Sequence, residues 1–201
     1  MKEFTLAVLI SGNGSNLQAL IDAVAKKEIQ GKICCVISNK KNSLGLVRAK
    51  NANIPAFVVE SDKFDNREKF DSALLETLNR YKPNLVVLAG FMRILSPIFV
   101  EVFKGKLINI HPSLLPKYPG LSTHKKVIQN QDKRHGVTVH FVDESLDGGP
   151  ICAQSSLTVT TKDVGILENQ IQKIEHKLYP KIVQKIVKGE LILKNGKVII
   201  K

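Results

Sequence analysis

The chain contains no tryptophan, and aromatic residues make up only 5% of its 201 positions. A nucleic-acid surface built on base stacking needs rings interleaved with cations. No such platform exists here, so a net charge of +12 does not by itself argue for nucleic acid, and none is expected as a partner. Cysteine is scarce as well. Cys34 and Cys35 are adjacent and Cys152 is remote, which gives neither a disulfide framework nor a CxxC spacing for zinc or redox work. Thiols used this way fit a reducing, cytoplasmic setting. Long apolar runs are lacking too. The run Leu6–Ile10 is shorter than a signal-peptide core and far shorter than a membrane span, so no membrane partner is expected. Without an HxH or HExxH pairing, no metal site is expected either. The chain shows no repeat and no Gly/Ser linker, so residues 1–201 read as a single domain.

What is present is ordinary globular material: 43% apolar and 24% charged residues, enough to bury a core. Thirty Lys+Arg face eighteen Asp+Glu. Much of the excess is C-terminal, where Lys173, Lys177, Lys181, Lys185 and Lys188 recur every three or four residues on one broad helix face. A solvated face is the plain reading of that row.

The hydropathy pattern alternates short apolar runs with amphipathic stretches. Strands are predicted at Phe4–Ile10, Ile33–Ile37, Pro55–Val59, Leu85–Ala89 and Leu107–Ile110. Between them, helical spacing covers Asn16–Lys27, Leu44–Ala52, a segment from Phe64 to Tyr81, and Pro97–Phe103. This alternation, with strands apolar on both faces, predicts an α/β fold: a Rossmann-like, open, mostly parallel sheet with helices on both faces. Later the pattern changes. Val137–Val142 and Ile151–Val159 read as antiparallel strands. Asp163–Lys188 reads as a long late helix interrupted or kinked at Pro180, and Asn195-Gly196 turns a terminal hairpin.

Four segments carry chemistry. Ser11-Gly12-Asn13-Gly14-Ser15-Asn16 joins the first strand to a helix. Its glycines and the free N–H groups of the helix start make a phosphate cradle, although Leu17 stands where a dinucleotide fingerprint needs glycine. Gly90-Phe91-Met92-Arg93-Ile94-Leu95 follows the most apolar strand and can wall a pocket for a flat ring. Asn109 and His111 are two apart on a strand, so an amide and an imidazole share one face, where they can hold an oxyanion and move a proton. Asp147, in a loop shaped by Gly148, Gly149 and Pro150, is a candidate partner for His111.

ISGNGSNLQALI, VVLAGFMRILS, INIHPSLLPKYPG and ESLDGGPI, in that order, resemble the phosphoribosylglycinamide formyltransferase family, folate-dependent enzymes of purine biosynthesis. The resemblance implies formyl transfer from 10-formyltetrahydrofolate, the co-substrate, to the amine of phosphoribosylglycinamide through a tetrahedral intermediate, without a metal. It implies catalysis by Asn109, His111 and Asp147. Gly14, Ser15, Asn16, Gln172 and Glu175 are implied for the phosphoribosyl substrate, and Arg67, Met92, Arg93, Ile94 and Leu95, with Asn109, for the folate. Residues 1–105 then form a phosphate-binding half and 106–201 a folate and catalytic half. The family pattern also implies histidine where Ser122 stands. Alternatives within reach of the same residues are a formyltetrahydrofolate deformylase, expected to carry a further N-terminal domain, and a non-catalytic phosphate-binding module. A methionyl-tRNA formyltransferase would be expected to add a C-terminal RNA-binding barrel.

Overall fold

The computed structural model describes residues 3–201. Strands β1 (Thr5–Ile10), β2 (Lys32–Ser38), β3 (Ala56–Val58), β4 (Leu85–Leu88) and β5 (Leu107–His111) pair in parallel. Strands β6 (Arg134–Phe141) and β7 (Ile151–Thr158) continue the same sheet antiparallel, in the order β3-β2-β1-β4-β5-β6-β7. Alternation along β1 divides the core. Leu6, Val8 and Ile10 face one layer, with α1 (Ser15–Ala25) and α6 (Val164–Val187). Ala7 and Leu9 face the other, with α3 (Arg67–Tyr81) and α4 (Pro97–Val102). Burial on both faces is why these strands carry unbroken apolar runs. Helix α2 (Leu44–Asn51) follows β2, and a hairpin of β8 (Leu191–Lys194) and β9 (Lys197–Ile200) ends the chain. Its turn residues Asn195 and Gly196 both have positive φ (51° and 72°), as the sequence predicts for a two-residue turn.

Four details differ from the pattern read in the sequence. Phe64 lies before α3, because the Asn66 side chain caps the helix by accepting from Lys69 N at 2.9 Å. Strand β6 starts at Arg134 rather than Val137, since pairing with β7 runs to Arg134–Thr158. Helix α6 is not interrupted at Pro180 but continues through it. A short helix, α5 (Thr123–Gln129), was not predicted at all; Thr123 and Val127 supply only a brief apolar stripe.

Candidate active site

Strand β1 lies between β2 and β4, so the chain leaves it toward opposite sides of the sheet. A crevice at the C-terminal strand ends is expected there. The loops after β1 and β4 meet at that point: Met92 N donates to Ser11 Oγ at 2.7 Å.

The cradle is fastened from below. Gly14 adopts φ 73°, and a Cβ there would lie 2.6 Å from Gly45 Cα at the start of α2. Gly45 N donates to Gly12 O at 3.1 Å, and Ser43 Oγ donates to the same carbonyl at 2.6 Å. No side chain caps α1, so the N–H groups of its first turn stay free for an anion. Arg48 adds a cation beside the loop, donating from Nε to Asn13 O at 2.9 Å and from Nη2 to Asn13 Oδ1 at 3.0 Å. Across the crevice from α6 comes Glu175, 159 residues later in sequence, whose Oε2 accepts from Asn16 Nδ2 at 3.1 Å. Burial pushes the Glu175 carboxyl up to about 7, and the Asn16 amide offsets this only in part. Asn16 Oδ1 is buried without a hydrogen-bond partner among the described residues. Gln172 lies three residues before Glu175 on the same helix, half-buried.

At the end of β5 the expected trio assembles. The Asp147 carboxylate accepts from Gly120 N at 2.8 Å, lies 3.3 Å from His111 Nδ1, and takes a long bond of 3.5 Å from Asn109 Nδ2. His111 Nε2 is held by Tyr118 O at 2.8 Å, so both ring nitrogens face oxygen acceptors. The network has a fourth member. His140 sits opposite Asn109 in the β5–β6 register, with Nδ1 on Phe141 O at 2.8 Å and Nε2 at 3.3 Å from Asn109 Nδ2. Nδ1 must carry the proton to meet a carbonyl, which leaves Nε2 as the acceptor for the Asn109 amide. Burial lowers the His140 pKa and keeps that acceptor bare.

In the loop after β4, Met92 and Ile94 expose 63% and 60% of their surface, while Leu95 is buried and anchors the loop. Arg93 lies over the Phe70 ring at 5.6 Å, and Arg67 opens α3 with an ion pair to Glu68 at 3.6 Å. Asp71 accepts from Ser96 N and so ties α3 to the end of this loop.

A family model described as formyl transferase matches residues 4–183. The chain belongs to the formyl transferase family. Within that family, the phosphoribosylglycinamide formyltransferase of Escherichia coli is 48% identical over 187 residues, covering 92% of this chain and 88% of the relative. That of Haemophilus influenzae is 46% identical, covering 95% and 91%. Among solved structures, the phosphoribosylglycinamide formyltransferase of Coxiella burnetii superposes with a TM-score of 0.94 at 42% identity, covering 99% of this chain and 94% of that one. Glycinamide ribonucleotide transformylase 1 of Symbiobacterium toebii gives 0.95 at 37%, covering 98% and 94%.

This formyl transferase domain also contains residues that reading the sequence missed. His140 and Arg48 carry no local signal, because each acquires its role from a strand register or a loop contact. Ser122 has φ 61° and precedes α5 without capping it. Among the described residues, no group of three or more His, Cys, Asp or Glu is arranged to hold a metal, and no helix is long and apolar enough to cross a membrane.

Proposed function

We propose that the crevice moves a formyl group from 10-formyltetrahydrofolate to the amine of phosphoribosylglycinamide, with Asn109, His111 and Asp147 as catalytic residues. One observation carries the assignment of roles. Asp147 reaches across 36 residues of chain to stand 3.3 Å from His111, with the Asn109 amide beside it. The phosphate cradle at Gly14, Ser15 and Asn16 follows β1, two strands from β5 in the same sheet, in a chain of the formyl transferase family.

The reaction needs an amine held against a formyl carbon, donors for the oxyanion and a route for one proton. The cradle holds the substrate phosphate on free helix N–H groups. The unpartnered Asn16 Oδ1 and the Glu175 carboxyl offer acceptors to substrate hydroxyl or amine hydrogens, with Gln172 beside them. Met92, Ile94 and Leu95 give the folate ring an apolar lip, while Arg67 and Arg93 serve its carboxylates. Asn109 anchors one amide hydrogen on His140. Its second hydrogen, held only by the 3.5 Å contact to Asp147, turns to the developing oxyanion. His111, set by Asp147, supplies positive charge there. To pass a proton it must release the Tyr118 carbonyl from Nε2. In this reading residues 1–105 supply the cradle and 106–201 the catalytic trio. The location is cytoplasmic, and the partners are small molecules rather than nucleic acid.

The test follows tetrahydrofolate release by absorbance, with and without phosphoribosylglycinamide. Release strictly dependent on the ribonucleotide is expected. Release without it would make water the acceptor and the chain a deformylase.

A further inference from the structure

A cavity of about 730 Å³ lies apart from Asn109, His111 and Asp147, none of which lines it. It is a groove between α1 and α6, floored by Ala19, Ala23 and Pro180, whose small or ring-closed side chains leave the space open. One wall carries Lys177, Lys181 and Lys185, one helical turn apart, so the row is about 12 Å long. Lys26 faces them from the end of α1, and Arg48 and Ser15 close the end next to the cradle. Against these cations stand Asp22 and Glu28, and Asp22 is engaged, accepting from Gln18 Nε2 at 2.8 Å. None of the four lysines forms an ion pair among the described residues. Their charge is therefore directed into a concave surface rather than spent on neighbours. Low-dielectric walls focus such a field. His176 also lines the groove, and its Nε2 is buried without a partner. Burial, and then the charge of Arg48, lower its pKa, which leaves it a neutral ring with an unmet hydrogen-bonding nitrogen.

We propose that the α1–α6 groove, which adjoins the substrate phosphate cradle at Ser15 and extends away from it, is a binding site for a linear polyphosphate, with Lys177, Lys181 and Lys185 tracking the chain of phosphoryl groups and Lys26 closing from the other side. The shape favours an extended anion over a single phosphate, because the cations are spread along a line. No Phe, Tyr or Trp lines the groove, and the one ring present, His176, is not a platform for successive bases, so a phosphate chain fits better than a nucleic-acid strand. The proposal does not depend on the formyl transfer reaction, which the release assay tests on its own.

Calorimetric titration of the full chain with sodium tripolyphosphate at low ionic strength decides it. Binding is expected to weaken at least about tenfold in a variant carrying Lys177→Ala, Lys181→Ala and Lys185→Ala. A control with Lys188→Ala, Lys194→Ala and Lys197→Ala loses the same charge outside the groove and should bind as the parent does. Circular dichroism and thermal melting of both variants establish that they remain folded. Orthophosphate should bind at least about tenfold more weakly than tripolyphosphate. Saturating phosphoribosylglycinamide should leave a tripolyphosphate site intact. The idea is overturned by equal weakening in both variants, by an unchanged groove variant, by orthophosphate binding as tightly as the chain, by complete displacement by the ribonucleotide, or by absence of binding to folded protein.

Discussion

The Asn109 amide has two hydrogens with unequal holds: 3.3 Å to a neutral imidazole and 3.5 Å to a carboxylate that already accepts a shorter bond from Gly120. An oxyanion arriving beside it gains a preorganised donor at little cost. Removing such a donor typically raises a barrier by about 3–4 kcal/mol. Asn109→Ala should therefore lower kcat by more than about 100-fold with the melting temperature nearly unchanged; a near-normal rate from folded protein would take Asn109 out of the mechanism. Glu175 makes a different kind of prediction. In the unfolded chain its carboxyl titrates near 4.5, whereas burial holds it near 7. Between those values the native state binds more protons, so stability falls as pH rises through that window, by up to about 3 kcal/mol. Glu175→Gln should melt higher than the parent at pH 8 and show a smaller change between pH 5 and 8. If the charged carboxylate accepts from the substrate, the parent KM for phosphoribosylglycinamide falls as pH rises through about 7, and the variant loses that dependence. A variant that gains no stability at pH 8 would contradict the burial argument.

At the level of elements, the parts legible in the sequence are those whose signal is local. Asn109 and His111 share a face because a strand repeats every two residues, and the cradle announces itself by Gly14 before an amphipathic helix. Asp147 was only a candidate, since nothing in the spacing puts the β6–β7 loop over β5; that contact needs the antiparallel return of β6. His140 was invisible for the same reason. Pro180 does not interrupt the helix, although a proline inside a helix forfeits one backbone bond. It sits buried where α6 lines the groove facing α1, and the packing of Tyr179, Ile182 and Val183 around it carries the helix through. The cradle's own element gives a sharp test. At Gly14, a methyl group meets both a positive φ and the Gly45 backbone at 2.6 Å, and neither can give way without moving α2. Gly14→Ala should cost about 1–3 kcal/mol and raise KM for the phosphorylated substrate far more than KM for the folate. Equal effects on both would mean that the loop serves stability alone.

Across the whole molecule, acid exposes a contest between groups of opposite sign. Burial lowers the pKa of His124, His135, His140 and His176, and brings His135 to about 4. Such groups are neutral in the native state, whereas in the unfolded chain they charge near 6.5. Stability is therefore lost as pH falls from about 6.5 toward 4. Burial raises the carboxyls of Asp71 and Glu175, so protonating them on the way down favours the native state. His135 and Glu175 nearly offset each other, being displaced by similar amounts in opposite directions. The remaining imidazoles outnumber Asp71, whose shift is opposed by its bonds from Ser96. The net expectation is a fold that weakens below about pH 6. The steepest contributor is the His124–His135 pair, whose facing nitrogens lie 2.9 Å apart and have room for one hydrogen between them, not two. Urea midpoints measured from pH 7.5 down to 4.5 should fall in the parent. His135→Gln keeps a polar partner for His124 but removes the buried titrating ring, so its curve should be flatter, with the difference opening between pH 6.5 and 4.5. Parallel curves would place the acid sensitivity elsewhere, and a parent midpoint that rises on acidification would mean that the carboxyls win.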